Sequence, residues 1–416
     1  MWLYPALLTA LYLGAYPWLA RRYREGFDER RGLYGPSFPR DLHRPFWVHA
    51  VSVGEVQSAS PLLRVIRGDE PERGLLLSTV TVTGRQMARR LLEGTIDGHV
   101  YYPWDVPWIV RRALDRIAPG LYCAVETEIW PGLLEELRRR RVPAFLVNGR
   151  LSDRSFRRMS RWPAFWRRTY GLFERILVRA DDDLDRFRCL GIAEEKLELI
   201  GDLKIDALLD RHRNASLDPV RKRLGGEGPL FVAGSTHEGE ESIVIEAFSL
   251  LRREIPTARL VLAPRHPERA PALMERIGEV PFFSCLLSQR RAGWDILVVD
   301  QVGLLFDLYG VADSAFIGGS LVPRGGQNLL EPACWGLPLC HGPHMEDFSL
   351  AAADLKEVGV ARTVVDGPTL ARFWKDSLDG DLRRSVAKRA QAFFDTRGGA
   401  ASRAWRIMKP YLENRR

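Results

Sequence analysis

A chain of 416 residues is too long for one ordinary hydrophobic core, so two domains are expected. With 46% hydrophobic and 27% charged residues it is globular, which excludes a disordered chain. A formal net charge of +8, carried mostly by arginine, favours anionic partners: nucleic acid, acidic lipid headgroups or phosphorylated substrates.

Met1 to Ala20 holds no charged residue, and Arg21, Arg22 and Arg24 come directly after it. That length just suffices to span a bilayer. A signal peptide places its positive charges before the apolar run, not after it. The arginines would keep the rest of the chain on the cytoplasmic side of that bilayer. Pro5, Gly14 and Pro17 interrupt a straight spanning helix, so an anchor lying partly in one leaflet is a second reading and a buried core helix a third. Residues 1–21 are therefore expected to be a membrane-anchoring helix.

An amino-terminal Rossmann-like domain is expected over 22–210. Apolar strands at Phe46–Val51, Gly74–Val80, His99–Tyr102, Leu121–Val125, Ala144–Val147, Arg175–Arg179 and Leu197–Ile200 alternate with helical patterns. This is the rhythm of a parallel sheet with helices on both faces. Ligands in such sheets bind beyond the carboxyl ends of the strands. The rule selects Ser52–Glu55, Thr81–Gly84, Pro103–Asp105, Glu126–Trp130 and Asn148–Ser152. No GxGxxG follows the first strand, so a nicotinamide site is not indicated there. Between Arg154 and Phe173, arginines interleave with aromatic residues, and Pro163 divides the run into two short helices. Such helices either lie on anionic lipid or pack an apolar stripe inward.

Near Asp206 to Leu230 the pattern breaks into a charged, glycine-containing stretch, and a linker is expected at 211–228. A second series over 229–395 places strands near Leu230–Gly234, Arg259–Ala263, Ile296–Asp300, Ser314–Ile317 and Pro338–His341. The basic tail ends in a helix over 396–416, expected to pack back on the first domain. There is no internal repeat. The predicted fold is α/β: two Rossmann-like domains facing one another across a cleft.

Several strand ends carry chemistry. Gly54 would allow a tight turn that puts Glu55 at the mouth of the next helix, as a general base or as a carboxylate favoured by the helix dipole. Glu126 and Glu128 end another strand, and three carboxylates together are costly unless a cation or a hydroxyl-rich ligand sits among them. A sugar acceptor fits that need; a plain helix first turn, with Pro131 in it, is the alternative. In the second domain Gly318, Gly319, Gly325 and Gly326 form a loop running into a helix at Leu329 to Trp335 with Asn328 as N-cap, a setting suited to phosphate, with a plain glycine turn in a parallel sheet as the alternative. Glu331 could accept hydrogen bonds from two ribose hydroxyls. Arg265 can grip a phosphate in bidentate fashion, and Ser235 and Thr236 can donate to the same anion.

Metal signals are weak. Asp181-Asp-Asp183 is better placed to cap a helix, His341 and His344 lack supporting carboxylates, and the five cysteines (Cys123, Cys189, Cys285, Cys334, Cys340) form no CxxC pair. They cannot all pair off either, which points to a reducing compartment.

These segments, in this order, resemble the 3-deoxy-D-manno-octulosonic acid (Kdo) transferases of lipopolysaccharide assembly. The resemblance rests on Ser52-Val-Gly-Glu55, Thr81-Val-Thr-Gly84, Tyr102-Pro-Trp-Asp105, Glu126-Thr-Glu-Ile-Trp-Pro131, Asn148-Gly-Arg-Leu-Ser152 and Gly201-Asp-Leu-Lys-Ile-Asp206. It continues through Ser235 to Glu241, Pro264 to Arg269, Gly318-Gly-Ser320, Gly325 to Glu331 and Gly342-Pro-His344, and so spans nearly the whole chain.

The resemblance implies a glycosyltransferase-B fold, a CMP-Kdo donor, a lipid A precursor as acceptor and attachment to the cytoplasmic face of the inner membrane. It implies no metal, no cofactor and no nucleic-acid partner. It makes Glu55 the catalytic base of an inverting transfer, with Ser52, Gly54, Thr83, Glu126, Glu128 and Arg150 on the acceptor side. CMP-Kdo would be held by Ser235, Thr236, His237, Pro264, Arg265, Val302, Gly303, Leu304, Gly319, Ser320, Asn328, Leu329, Leu330 and Glu331. Leu304 departs from the family pattern, which has glutamate after the glycine, and Ala50 stands where serine is common. Two rivals are an enzyme of the same fold using a UDP-sugar and a non-catalytic basic anion-binding protein; carboxylates at the strand ends argue against the latter.

Overall fold

The computed structural model describes residues 3–35, 38–39 and 42–413; residues 1–2 of the expected anchor and 414–416 of the terminal helix lie outside them. The chain forms two compact units, Met1–Ala207 with Arg397–Arg416, and Leu208–Thr396. It leaves the first unit inside the helix Leu203–Arg213, and the stretch expected as linker belongs to the second unit.

In the first unit β1 (Phe46–His49), β2 (Leu75–Thr79), β3 (Gly98–Tyr101), β4 (Leu121–Val125), β5 (Ala144–Gly149), β6 (Arg175–Val178) and β7 (Leu197–Leu199) form one parallel sheet in the order β3-β2-β1-β4-β5-β6-β7. Alternate residues feed two cores. Trp47, Leu76, Tyr122 and Leu146 face one, and Phe46, Val48, Leu75, Cys123 and Phe145 face the other. Burial on both faces explains why these strands read as continuous apolar runs. The carboxyl-terminal helix Ala400–Met408 completes the second core with Ala404, Trp405 and Met408. Asp206 fixes its start by accepting from Gly399 and Ala401 N–H, each at 2.7 Å, and Trp405 Nε1 donates to Asp69 at 2.7 Å.

The second unit repeats the plan. Strands β8 (Leu230–Thr236), β9 (Arg259–Pro264), β10 (Ser284–Leu286), β11 (Ile296–Val298), β12 (Ser314–Ile317), β13 (Leu339–His341) and β14 (Ala361–Thr363) run parallel in the order β10-β11-β9-β8-β12-β13-β14. The edge strands β10 and β14 escape the sequence pattern because three residues show no period. Strand order reverses between β1 and β4 in one sheet and between β8 and β12 in the other. Those two points are where each sheet offers a crevice to a ligand.

Helix α1 (Leu3–Arg22) packs one side on the first unit, with Tyr12 buried against Val106 and Ile109. Leu7, Leu11, Leu13 and Trp18 are exposed, and the spacing of Leu7, Leu11 and Trp18 puts them on one face. No described helix is long and apolar enough to cross a membrane, so the spanning reading of α1 has no support. Three tyrosines, Gly14 and the terminal arginines dilute its hydropathy. The arginine-aromatic segment divides as expected into the helices Asp153–Met159 and Pro163–Tyr170. Met159 and Tyr170 join the core, while Arg157, Arg158, Arg161 and Trp162 are exposed.

Candidate active site

The acidic constellation forms at the switch point of the first sheet. Helix α2 (Val53–Asp69) follows β1, and Glu55 lies in its first turn, half-buried, its Oε2 accepting the Val51 N–H at 2.5 Å. The glutamate thus reaches back past the N-cap Ser52 to the N–H of the residue before it. Burial raises its pKa from 4.5 to about 7; the Val51 N–H opposes this, Glu128 and Glu126 add to it, and Lys204 works against it. Gly54 does not make the tight turn expected of it. It is an ordinary residue of α2, and a Cβ there would meet nothing within 4 Å, so glycine leaves open space at the helix mouth. Ser52 is the N-cap residue of α2, but its side chain makes no capping bond.

Glu126 and Glu128 follow β4. Glu126 is buried with a left-handed φ of 61°, a conformation that costs a non-glycine residue about 1–2 kcal/mol. Its Oε1 is 2.8 Å from Lys204 Nζ and 3.2 Å from Ser58 Oγ. The Glu128 carboxyl is pushed up by burial, eased by Trp130 Nε1, which donates to it at 3.1 Å. His49 of β1, fully buried and stacked on Tyr102 at 3.6 Å, brings Nε2 to 3.9 Å from Glu128. Burial lowers the His49 pKa to about 3, so the imidazole is neutral and this contact is no charge pair.

Arg150 is exposed, with its N–H 3.4 Å from the Glu126 carbonyl. Thr83 is exposed on the helix Val82–Leu91, its hydroxyl on Thr81 Oγ1 at 3.4 Å. Lys204, Ser58 and His49 were not singled out from sequence. Lys204 had a signal, standing two residues before Asp206 within Gly201–Asp206; the others had none.

In the second sheet the loops after β8 and β12 meet at its switch point. Buried Glu240 accepts from His237 N–H at 2.7 Å, Gly319 N–H at 2.6 Å and Leu321 N–H at 3.3 Å, so one carboxylate ties the two loops together. Burial raises its pKa, against those three bonds. Gly319, Gly325 and Gly326 adopt φ of 68°, 78° and 74° as expected of a glycine loop, whereas Gly318 is needed for closeness: a Cβ there would collide with the Ser235 carbonyl.

Two expected donor contacts turn inward. Thr236 is fully buried with its hydroxyl 3.4 Å from Glu241, and the Ser320 hydroxyl donates to the Ile317 carbonyl at 2.5 Å while accepting from Gly342 N–H at 2.7 Å. Ser235, with φ of 56°, is half-exposed, as is His237, whose Nε2 has no hydrogen-bond partner. Pro264 is buried at the end of β9; Arg265 beyond it is exposed, held by its N–H to the Thr236 carbonyl at 2.9 Å. Val302 is 83% exposed, Gly303 has φ of 90°, and Leu304 precedes the next helix.

The helix after the glycine loop is shorter than expected, Leu330–Cys334, ending before Gly336, which has a left-handed φ of 70°. The N-cap residue is buried Leu329 and not Asn328 as expected, although Asn328 Oδ1 still accepts the Leu330 N–H at 3.1 Å. Glu331 is half-buried 3.7 Å from Arg211, and burial raises its pKa.

Asp183 does not cap its own helix; it accepts Leu151 N–H and pairs with Arg179, each at 2.8 Å. His341 is buried against the Gly342 carbonyl, and His344 faces Glu346 at 3.3 Å. Among the described residues no three His, Cys, Asp or Glu side chains gather as metal ligands.

Residues 25–207 match the family model for 3-deoxy-D-manno-octulosonic-acid transferase (kdotransferase). A 3-deoxy-D-manno-octulosonic acid transferase of Haemophilus influenzae is 31% identical over 414 residues, 98% of this chain and 96% of that protein. The chain belongs to the Kdo transferase family. A Bordetella pertussis transferase of the same name is 32% identical over 95% of both chains. The UDP-GlcNAc 2-epimerase of Neisseria meningitidis, at 14% identity, shares the fold of this Kdo transferase over 89% of the chain, with a TM-score of 0.59. As a family member the protein is a glycosyltransferase.

Proposed function

We propose that this Kdo transferase moves Kdo from CMP-Kdo to a hydroxyl of a lipid A precursor by a single inverting displacement, with Glu55 as the base. The observation that carries this is the acidic cluster beyond β1 and β4, where Glu55 in the first turn of α2 stands beside Glu126, Glu128 and Lys204 and its carboxyl is lifted to about 7. A base poised near neutrality suits removal of a sugar hydroxyl proton. Glu126, Glu128 and Arg150 would receive the acceptor's hydroxyls and phosphates. The nucleotide would be held by the second unit, with Arg265, the glycine loop, Asn328 and Glu331 around the phosphate and ribose. CMP leaves as a phosphate monoester that needs no general acid, only stabilisation of its charge. Leu304 offers no side-chain hydrogen bond to the nucleotide, so that loop would act through the Gly303 backbone. This reading follows the glycosyltransferase-B plan, in which acceptor groups would belong to one Rossmann-like unit and donor groups to the other.

Attachment to the cytoplasmic face of an inner membrane is part of the proposal. Leu7, Leu11 and Trp18 would lie in the leaflet, while Trp162 and the arginines around it meet acidic headgroups. The test is flotation with anionic and neutral vesicles: binding only to anionic vesicles, lost at high salt, is expected, and no binding to either removes the membrane part. For the chemistry, Glu55→Ala should abolish transfer and leave CMP affinity nearly intact; parallel loss of both would remove Glu55 from the base role.

A further inference from the structure

Helix α3 (Pro131–Arg139) starts directly after the loop that carries Glu126 and Glu128, and its first turn is capped from elsewhere in the chain. Trp130 at its N-cap offers no side-chain oxygen, and Pro131 has no N–H, so the donors needing a partner are those of Gly132 and Leu133. Asp105 takes both: Gly132 N–H donates to Oδ2 at 2.8 Å and Leu133 N–H to Oδ1 at 2.6 Å. The fit is close enough that a Cβ on residue 132 would stand 2.6 Å from Oδ1. A third donor comes from α1. The Tyr4 hydroxyl donates to Asp105 Oδ2 at 3.0 Å, joining residues 101 apart in sequence.

The same segment is gripped by α1 a second time. The Trp104 ring lies 5.4 Å from Tyr12 of α1, and 6.2 Å and 5.5 Å from Tyr23 and Phe27 just beyond it. On its other side the segment reaches the acidic site: Tyr102 stacks on His49 and lies 5.2 Å from Trp130, whose indole N–H holds Glu128.

We propose that α1 is a working part of the acceptor site: the Tyr4 hydroxyl is a positioning group that, through Asp105, fixes the Glu126–Pro131 loop and the two carboxylates on it. This rests on the reading of those carboxylates as the acceptor side of a Kdo transferase. A disturbance of α1, whose exposed leucines are the proposed lipid contact, then reaches the loop through two side chains.

The test uses the full chain in detergent micelles, where membrane attachment no longer limits the reaction. In Tyr4→Phe, which keeps the ring and removes the hydroxyl, KM for a tetraacylated lipid A precursor should rise about threefold or more, the scale of one lost hydrogen bond. KM for CMP-Kdo should stay unchanged, and the melting temperature should move by no more than a few degrees. Amide hydrogen exchange at Gly132 and Leu133, read without any substrate, should quicken. Asp105→Asn, which keeps one acceptor oxygen, should enlarge both effects. Unchanged exchange in both variants, or an equal rise in both KM values, overturns the proposal. Exchange needs no turnover, so it tests this link even if the wild-type chain transfers no Kdo, a result that would sink the functional reading instead.

Discussion

Replacing Glu55 with glutamine removes the proposed base yet keeps a carbonyl oxygen able to accept the Val51 N–H, so the start of α2 should survive. A positioned general base contributes about 10²–10⁴-fold, or roughly 3–5 kcal/mol of barrier. Transfer from CMP-Kdo should fall by that factor while CMP affinity holds. In the wild type kcat/KM should climb through about pH 7 as Glu55 loses its proton, and the variant should lack that limb.

Stability gives a second reading with its own sign. The folded carboxyl holds its proton up to about pH 7, whereas an ordinary one releases it near 4.5. Over that window the folded state binds more protons than the unfolded chain, so stability falls as pH rises. Taken whole, the shift would be worth about 3 kcal/mol; partial exposure screens it to about 1–2 kcal/mol. Glu55→Gln should therefore melt a few degrees above wild type at pH 8 and level with it below about pH 4. Activity within about tenfold of wild type, or a retained pH limb, would refute the base assignment.

Lys204→Met removes the cation 2.8 Å from Glu126 and the one that lowers the Glu55 pKa; the acidic limb of kcat/KM should move to higher pH, and an unmoved limb would separate Lys204 from the base. Glu240→Gln leaves three backbone N–H groups sharing one acceptor oxygen, at a cost of about 1–3 kcal/mol; calorimetry should show weaker CMP binding and a lower melting temperature together. Arg265→Ala should weaken CMP binding by about 1.5–3 kcal/mol without changing the melting temperature, because the side chain is exposed; unchanged affinity would remove it from the donor site.

Most of the fold was legible because parallel strands buried on both faces are apolar throughout, and β4 and β12 fall where that pattern places them. The strand-end rule then found Glu55, Glu126 and Glu128 without any ligand. What stayed hidden depends on contacts between distant segments. Asp105 caps a helix 27 residues on, and Asp206 caps one nearly two hundred residues away. Nothing in Glu126 or Ser235 announces a left-handed backbone, since neither residue favours it. Thr236 and Ser320 look like ligand hydroxyls in sequence, but Thr236 ends β8, Ser320 sits in the turn after β12, and both hydroxyls turn into the fold. The fate of α1 was also unreadable: its apolar length suggests a span, and its tyrosines instead meet Asp105, Trp104 and Phe27 of the first unit.

Incubating the purified chain with CMP-Kdo and a tetraacylated lipid A precursor, then weighing the glycolipid, tests Kdo transfer most directly. A mass gain of one or more Kdo residues with release of CMP, abolished in Glu55→Ala, is the expected result. An unchanged glycolipid, or transfer supported by a UDP-sugar in place of CMP-Kdo, would contradict it.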